Sequence, residues 1–167
     1  MDKALNQRYY SCFFTGHRIL GDEDYRRRVY HAIYENSKKL IEQNGVDTFI
    51  CGGAIGFDTL AARAVIRLKE IYPHIILKIY IPCYEHYKRW NNKDKFMWKY
   101  IMSFADSSEY ITEDFYTDGC MQKRNIKMAN DAHYCIAFCR KTASGTGATI
   151  RYAMTKSCSV NNLADIV

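Results

Sequence analysis

Three short glycine-bearing stretches each follow an apolar, β-branched or aromatic run: Thr15-Gly16-His17-Arg18, Gly52-Gly53-Ala54-Ile55-Gly56-Phe57-Asp58 and Ser144-Gly145-Thr146-Gly147-Ala148-Thr149. A strand, a tight glycine turn and then a helix is the arrangement by which an α/β sheet points bare backbone N–H groups at a phosphate. Three such turns in one small chain predict that their ends converge on a single anionic ligand, a nucleotide or a derivative of one. Arg18 is suited to bidentate contact with phosphate oxygens. His17 beside it either contacts the phosphates or packs the turn. Asp58, close to a helix start, either hydrogen-bonds a ribose hydroxyl or acts with the helix dipole. Ser144 and Thr146 add hydroxyls to the third turn. That turn lacks the lysine of a Walker loop, which argues against ATP hydrolysis by that route.

Two further groups of residues belong to the same rim. Pro82-Cys83-Tyr84-Glu85 follows a third apolar run, and Tyr84, Glu85 and Trp90 either flank a base and read its polar edge or cover the core beneath a loop. Lys123-Arg124-Asn125 precedes a later strand, and Arg124 shares a helical face with Met128, so its guanidinium is expected to be held on a packed helix.

The elements that must position these residues are legible from periodicity. Strand-like runs recur at 9–14, 48–51, 75–81, 109–112 and 134–139, with 160–167 a weaker sixth. Helical patterns lie between them at 22–44, 57–72, 93–105, 121–129 and 147–156, the first of them stopped by Gly45. Strands alternating with helices of this length imply parallel βαβ units. The predicted fold is α/β and Rossmann-like, a mostly parallel sheet with helices on both faces, forming one domain over residues 1–167. In such a sheet ligands bind beyond the carboxyl ends of the strands, which is where the glycine turns fall.

The bulk properties agree with a globular domain, at 48% hydrophobic and 25% charged residues with 2 prolines. The net charge of +6 is compatible with an anionic small molecule and with nucleic acid, but the basic residues are spread along the chain. Seven cysteines with no CxxC pair, several inside apolar runs, behave as small hydrophobes and indicate neither disulfides nor a metal site. The segment Met1 to Arg8 has no apolar signal core and no run approaches a membrane span, from which a reducing cytoplasm and no membrane partner are expected.

Together the quoted stretches, with Pro82, Tyr84-Glu85, Trp90, Arg124-Asn125 and Met128, resemble the SLOG superfamily, which groups DprA-type DNA-processing proteins with LOG-type lysine decarboxylase-like proteins. The similarity is greatest to its YpsA-like branch. The resemblance implies a Rossmann-like fold that binds a nucleotide-type ligand such as ADP-ribose, NAD or AMP, with no required cofactor, in a homo-oligomer. Ligand-binding residues would be Thr15, Gly16, His17, Arg18, Gly52, Gly53, Gly56, Asp58, Tyr84, Glu85, Trp90, Arg124, Asn125, Ser144, Gly145, Thr146 and Gly147.

The hydrolytic LOG-type members cleave the N-glycosidic bond of nucleoside monophosphates. They resemble one another in an arginine before the fifth strand and a Pro-Gly-Gly-x-Gly-Thr-x-x-Glu motif after it. The arginine falls on Arg124, but the motif's proline falls on Ala143, its first glycine on Ser144, its threonine on Ala148 and its glutamate on Arg151. An oxocarbenium-like sugar is stabilised by a nearby anion and opposed by a cation, so Arg151 reverses the sign. Glu85, Asp58 and Arg124 are the remaining catalytic candidates, and the reading favours a sensor or regulatory binding protein over a phosphoribohydrolase. Single-stranded DNA binding of DprA type is a third reading, ranked last because the chain shows no continuous basic and aromatic stripe.

Overall fold

The inner strands of the sheet are short, mostly apolar and carry alternating large side chains, and that alternation decides which side each residue buries. A computed structural model describes residues 3–167. Met1 and Asp2 of the amino-terminal segment lie outside the described residues. Six parallel strands, β1 (Ser11–Gly16), β2 (Thr48–Cys51), β3 (Ile76–Ile81), β4 (Ser107–Tyr110), β5 (Tyr134–Phe138) and β6 (Ser159–Asn162), form one sheet in the order β4-β3-β2-β1-β5-β6.

On one face Cys12, Phe14, Phe49, Cys51, Ile136 and Phe138 pack under α2 (Glu23–Asn44), α3 (Phe57–Ile71) and α4 (Asn92–Phe104). On the other, Phe13, Ile50, Cys135 and Ala137 pack under α5 (Cys120–Asp131) and α6 (Gly145–Thr155). Neighbours in sequence take opposite faces, as the period of two in a strand requires. Helices therefore cover both sides of a parallel sheet. All seven cysteines are buried and free.

Local chemistry sets the helix ends. Asp22 caps α2 by accepting from the Tyr25 N–H at 2.8 Å, and Gly45 ends it in a left-handed conformation. Asn91 caps α4 through the Asp94 N–H, and Ser144 caps α6 through the Gly147 N–H at 3.1 Å. Among the described residues no helix is long and apolar enough to cross a membrane.

Most boundaries shift by one or two residues from the sequence expectation, and three of the differences have a clear local cause. Tyr9 lies not in β1 but at the end of a short helix, α1 (Lys3–Tyr9), and β1 starts at Ser11. This helix closes the amino end of the sheet, with Gln7 Nε2 donating to Asp47 and Thr48. The fourth strand lies earlier than expected, because Asp106 to Tyr110 is the stretch that reaches β3, with the Asp106 N–H donating to the Leu77 carbonyl at 2.9 Å. The last strand ends at Asn162, whose side chain accepts from the Ala164 N–H and turns residues 163–165 into a 3-10 helix.

Candidate functional site

From β1 the chain winds outward through β2, β3 and β4, then returns to the other side of β1 as β5. The two connections leaving β1 and β5 thus diverge to opposite faces, opening a crevice at their carboxyl ends. A cavity of about 270 Å³ occupies that crevice. β1 and its turn contribute Thr15, Gly16, His17 and Arg18; α5 contributes Met121, Arg124, Asn125 and Met128; the start of α6 contributes Ser144, Gly145 and Thr146; Asp58 and Ala54 complete it.

Arg124 is the buried cation of this crevice, at 5% exposure. Its Nη1 donates to the Gly52 carbonyl and its Nε donates to Asn125 Oδ1 at 2.8 Å. Asp58, also buried, accepts from the Ala54 N–H at 3.2 Å. Burial raises the Asp58 carboxyl above its ordinary range, against the opposing pull of the Arg124 charge, the Ala54 N–H and Arg18. Burial likewise lowers Arg124 from its ordinary value, with Asp58 pulling the other way. For both groups the loss of hydration outweighs the attraction of the opposite charge.

At the start of α6 the N–H groups of Gly145 and Thr146 have no intrahelical partner, because a helix leaves its first N–H groups unpaired. Gly145 is the one glycine of the cavity with open space where a side chain would be; a Cβ there meets nothing within 4 Å. These groups and the helix dipole favour negative charge at the same place that Arg124 and Arg18 do.

Of the remaining expected residues, His17 lines the cavity and the others lie outside its wall. His17 packs the turn: its ring Nε2 accepts from the Arg140 backbone N–H at 2.9 Å, and its backbone N–H donates to the Phe138 carbonyl at 3.2 Å, tying the β1 loop to the β5 loop. Burial and the Lys141 and Arg140 charges lower its basicity, in keeping with an acceptor nitrogen. Gly52, Gly53, Gly56 and Gly147 lie behind the cavity rather than in its wall. A Cβ on Gly52 would stand 2.8 Å from the Arg124 guanidinium, one on Gly53 2.7 Å from the Trp98 ring, and one on Gly147 2.0 Å from the Thr142 carbonyl. Gly56, at φ +77°, lets the Arg18 backbone lie against the start of α3, where the Phe57 N–H donates to the His17 carbonyl. The second turn therefore spends its Ala54 and Phe57 N–H groups inside the protein.

Tyr84, Glu85 and Trp90 do not line the crevice. Tyr84 sits against Tyr110 and Phe115, with ring centroids 4.8 and 6.0 Å away. Glu85 faces Lys88 at 3.3 Å. Trp90 joins His86 and Trp98 in an aromatic cluster under the loop, where His86 Nε2 bonds the Gly53 carbonyl at 2.9 Å.

Met121 was absent from the expected set although it carried a signal. It stands three residues before Arg124, four before Asn125 and seven before Met128, on the same helical face. A second, larger cavity of about 650 Å³ adjoins the crevice between α5 and α6 and shares Met121, Asn125, Ser144 and Gly145 with it. Arg151 lines this second cavity and donates to the Thr142 carbonyl at 2.7 Å. Among the described residues no group of three or more His, Cys, Asp or Glu side chains is placed to hold a metal ion.

Comparison with known proteins agrees with this fold. The YpsA family model, described as the YspA SLOG family, matches residues 14–164. The SPbeta prophage-derived protein YoqJ of Bacillus subtilis is 32% identical over 127 residues, covering 70% of this chain and 74% of that protein. A UPF0398 protein of Macrococcus caseolyticus is 28% identical over 120 residues, covering 69% of this chain and 64% of its own length. Among solved structures, DNA processing protein A of Helicobacter pylori, described for its single-stranded DNA binding mode, superposes with a TM-score of 0.62 at 17% identity, covering 95% of this chain and 67% of that one. The corresponding protein of Streptococcus pneumoniae gives 0.63 at 20% identity, covering 92% and 50%.

Proposed function

We propose that this chain, which belongs to the YpsA SLOG family, binds a nucleotide or nucleotide-derived ligand of ADP-ribose, NAD or AMP type at the β1–β5 crevice and serves as a sensor or regulatory binding protein. The observation that carries the proposal is the buried Arg124, facing the same cavity as the unpaired N–H groups at the start of α6. A phosphate there meets a guanidinium, Arg18, two backbone donors and the Ser144 to Thr146 turn. Ribose hydroxyls would meet Asn125 and Asp58.

Isothermal titration against ADP-ribose, NAD and AMP tests this, with saturable binding to at least one expected. Gly145→Asp places a carboxylate in the cavity without a clash and at a helix start that tolerates it. It is expected to abolish binding with the melting temperature unchanged. No binding of any of the three by the wild-type protein overturns the proposal.

Two other readings have their own observations. Asp58 lies in the crevice with Arg124, the pairing an N-glycosidic nucleotide hydrolase would use. That reading requires release of free base from nucleoside monophosphates, lost in Asp58→Asn. The fold neighbour described for single-stranded DNA binding, with the +6 charge of this chain, favours a nucleic-acid partner instead. It requires oligonucleotide binding that weakens steeply with salt.

A further inference from the structure

The crevice at the sheet is small for the ligand it is read to hold. Its 270 Å³ falls below the roughly 300–1,000 Å³ of ordinary small-molecule sites, whereas the adjoining cavity of about 650 Å³ lies within that range. The two differ in character. The smaller has Arg124, Arg18 and Asp58; the larger is walled by Met121, Ile126, Ala148 and the Tyr152 ring. Each helix contributes to both: Met121 and Asn125 from α5, Ser144 and Gly145 from α6. α6 therefore offers unpaired N–H groups at its first turn and, one and two turns further along the same wall, Ala148 and Tyr152.

We infer that the groove between α5 and α6 is the subsite for the planar heteroaromatic base of the ligand, with the phosphate held in the crevice at the sheet. The inference rests on the phosphate reading above and adds a location that reading lacks, since Tyr84 and Trp90 are packed elsewhere. Tyr152 is held in place by its hydroxyl, which hydrogen-bonds Asn130 Oδ1 at 2.8 Å, and so presents a fixed ring. Asn125 stands at the junction. Its Oδ1 is occupied by the Arg124 Nε–H, which leaves the amide N–H groups as the donors toward a bound sugar or base. Gln122 and Arg151 on the rim supply polar contacts to a base edge.

Titration of AMP against ribose 5-phosphate, which carries the same phosphate and sugar without the base, separates the two subsites. AMP is expected to bind about tenfold more tightly or better, the increment a stacked base supplies. Ala148→Tyr, which fills the groove, is expected to erase that difference while leaving ribose 5-phosphate affinity unchanged, the latter reporting an intact fold. If Ala148→Tyr loses both ligands, Tyr152→Ala decides by the same two titrations. Equal affinities for AMP and ribose 5-phosphate in the wild-type protein overturn the base subsite and leave the phosphate reading standing. A preference for AMP that survives the groove variants overturns the location. Failure of both ligands to bind overturns this inference, and the phosphate reading falls with it only when ADP-ribose and NAD fail to bind as well.

Discussion

Arg124 and Asp58 share one desolvated region in which neither charge is fully compensated. Replacing Arg124 by Met would leave the Asp58 carboxyl buried beside an apolar chain and take away the donor to the Gly52 carbonyl. The expected cost is about 2 kcal/mol or more in chemical denaturation, the order found when a buried polar group is left without its partner. Asp58→Asn in the same background removes the stranded charge and is expected to recover about 1 kcal/mol or more. Strictly additive effects of the two substitutions would show that the charges do not act on each other. Gly53, by contrast, is a site for altering stability rather than binding, because any side chain there meets the Trp98 ring.

At the scale of elements, the three glycine turns divide their labour. The turn before α3 is a packing joint: Gly56 carries φ +77°, and a Cβ there would lie 2.1 Å from the Arg18 carbonyl oxygen. Gly56→Ala is expected to cost at least about 2 kcal/mol, since a left-handed conformation and a displaced β1 loop are both imposed. The turn before α6 is an opening. Gly145→Ala is expected to be neutral or to stabilise by up to about 1 kcal/mol, because a helical position gains a better former and nothing is displaced. Equilibrium unfolding of the two variants checks both, and a Gly145→Ala that costs as much as Gly56→Ala would refute the division. All three turns were visible in sequence as glycines after apolar runs. Which of them keeps its N–H groups free was not, since that depends on Asp58 folding back to Ala54 and on His17 reaching Phe57.

Across the whole molecule, several histidines are held below their ordinary basicity. Burial pushes His86 down to about 4 from 6.5, with the Arg124 and Arg18 charges acting in the same direction and its bond to the Gly53 carbonyl opposing. Burial also lowers His17 and His133. Below pH 6.5 the unfolded chain takes up protons that the folded protein refuses, so the stability present above that pH is lost as it falls toward 4. Asp58, raised above its ordinary value, works in the opposite direction but is a single group. The melting temperature is therefore expected to drop steadily from pH 7 to pH 4.5, and a constant or rising value across that window would overturn this account.

The sequence by itself determined the α/β alternation, the parallel sheet with helices on both faces, and the placing of the glycine turns, Arg124 and Asp58 at one rim. These follow from periods of two and 3.6 residues and from the few residues that can end or cap a helix, all of which are local properties. Only the tertiary structure decided that the crevice opens between β1 and β5, that Tyr84, Glu85 and Trp90 stand outside it, and that a larger apolar groove adjoins it. Strand order and the packing of α5 against α6 bring together residues far apart in the chain, and no local pattern encodes which distant surface a half-exposed aromatic will meet.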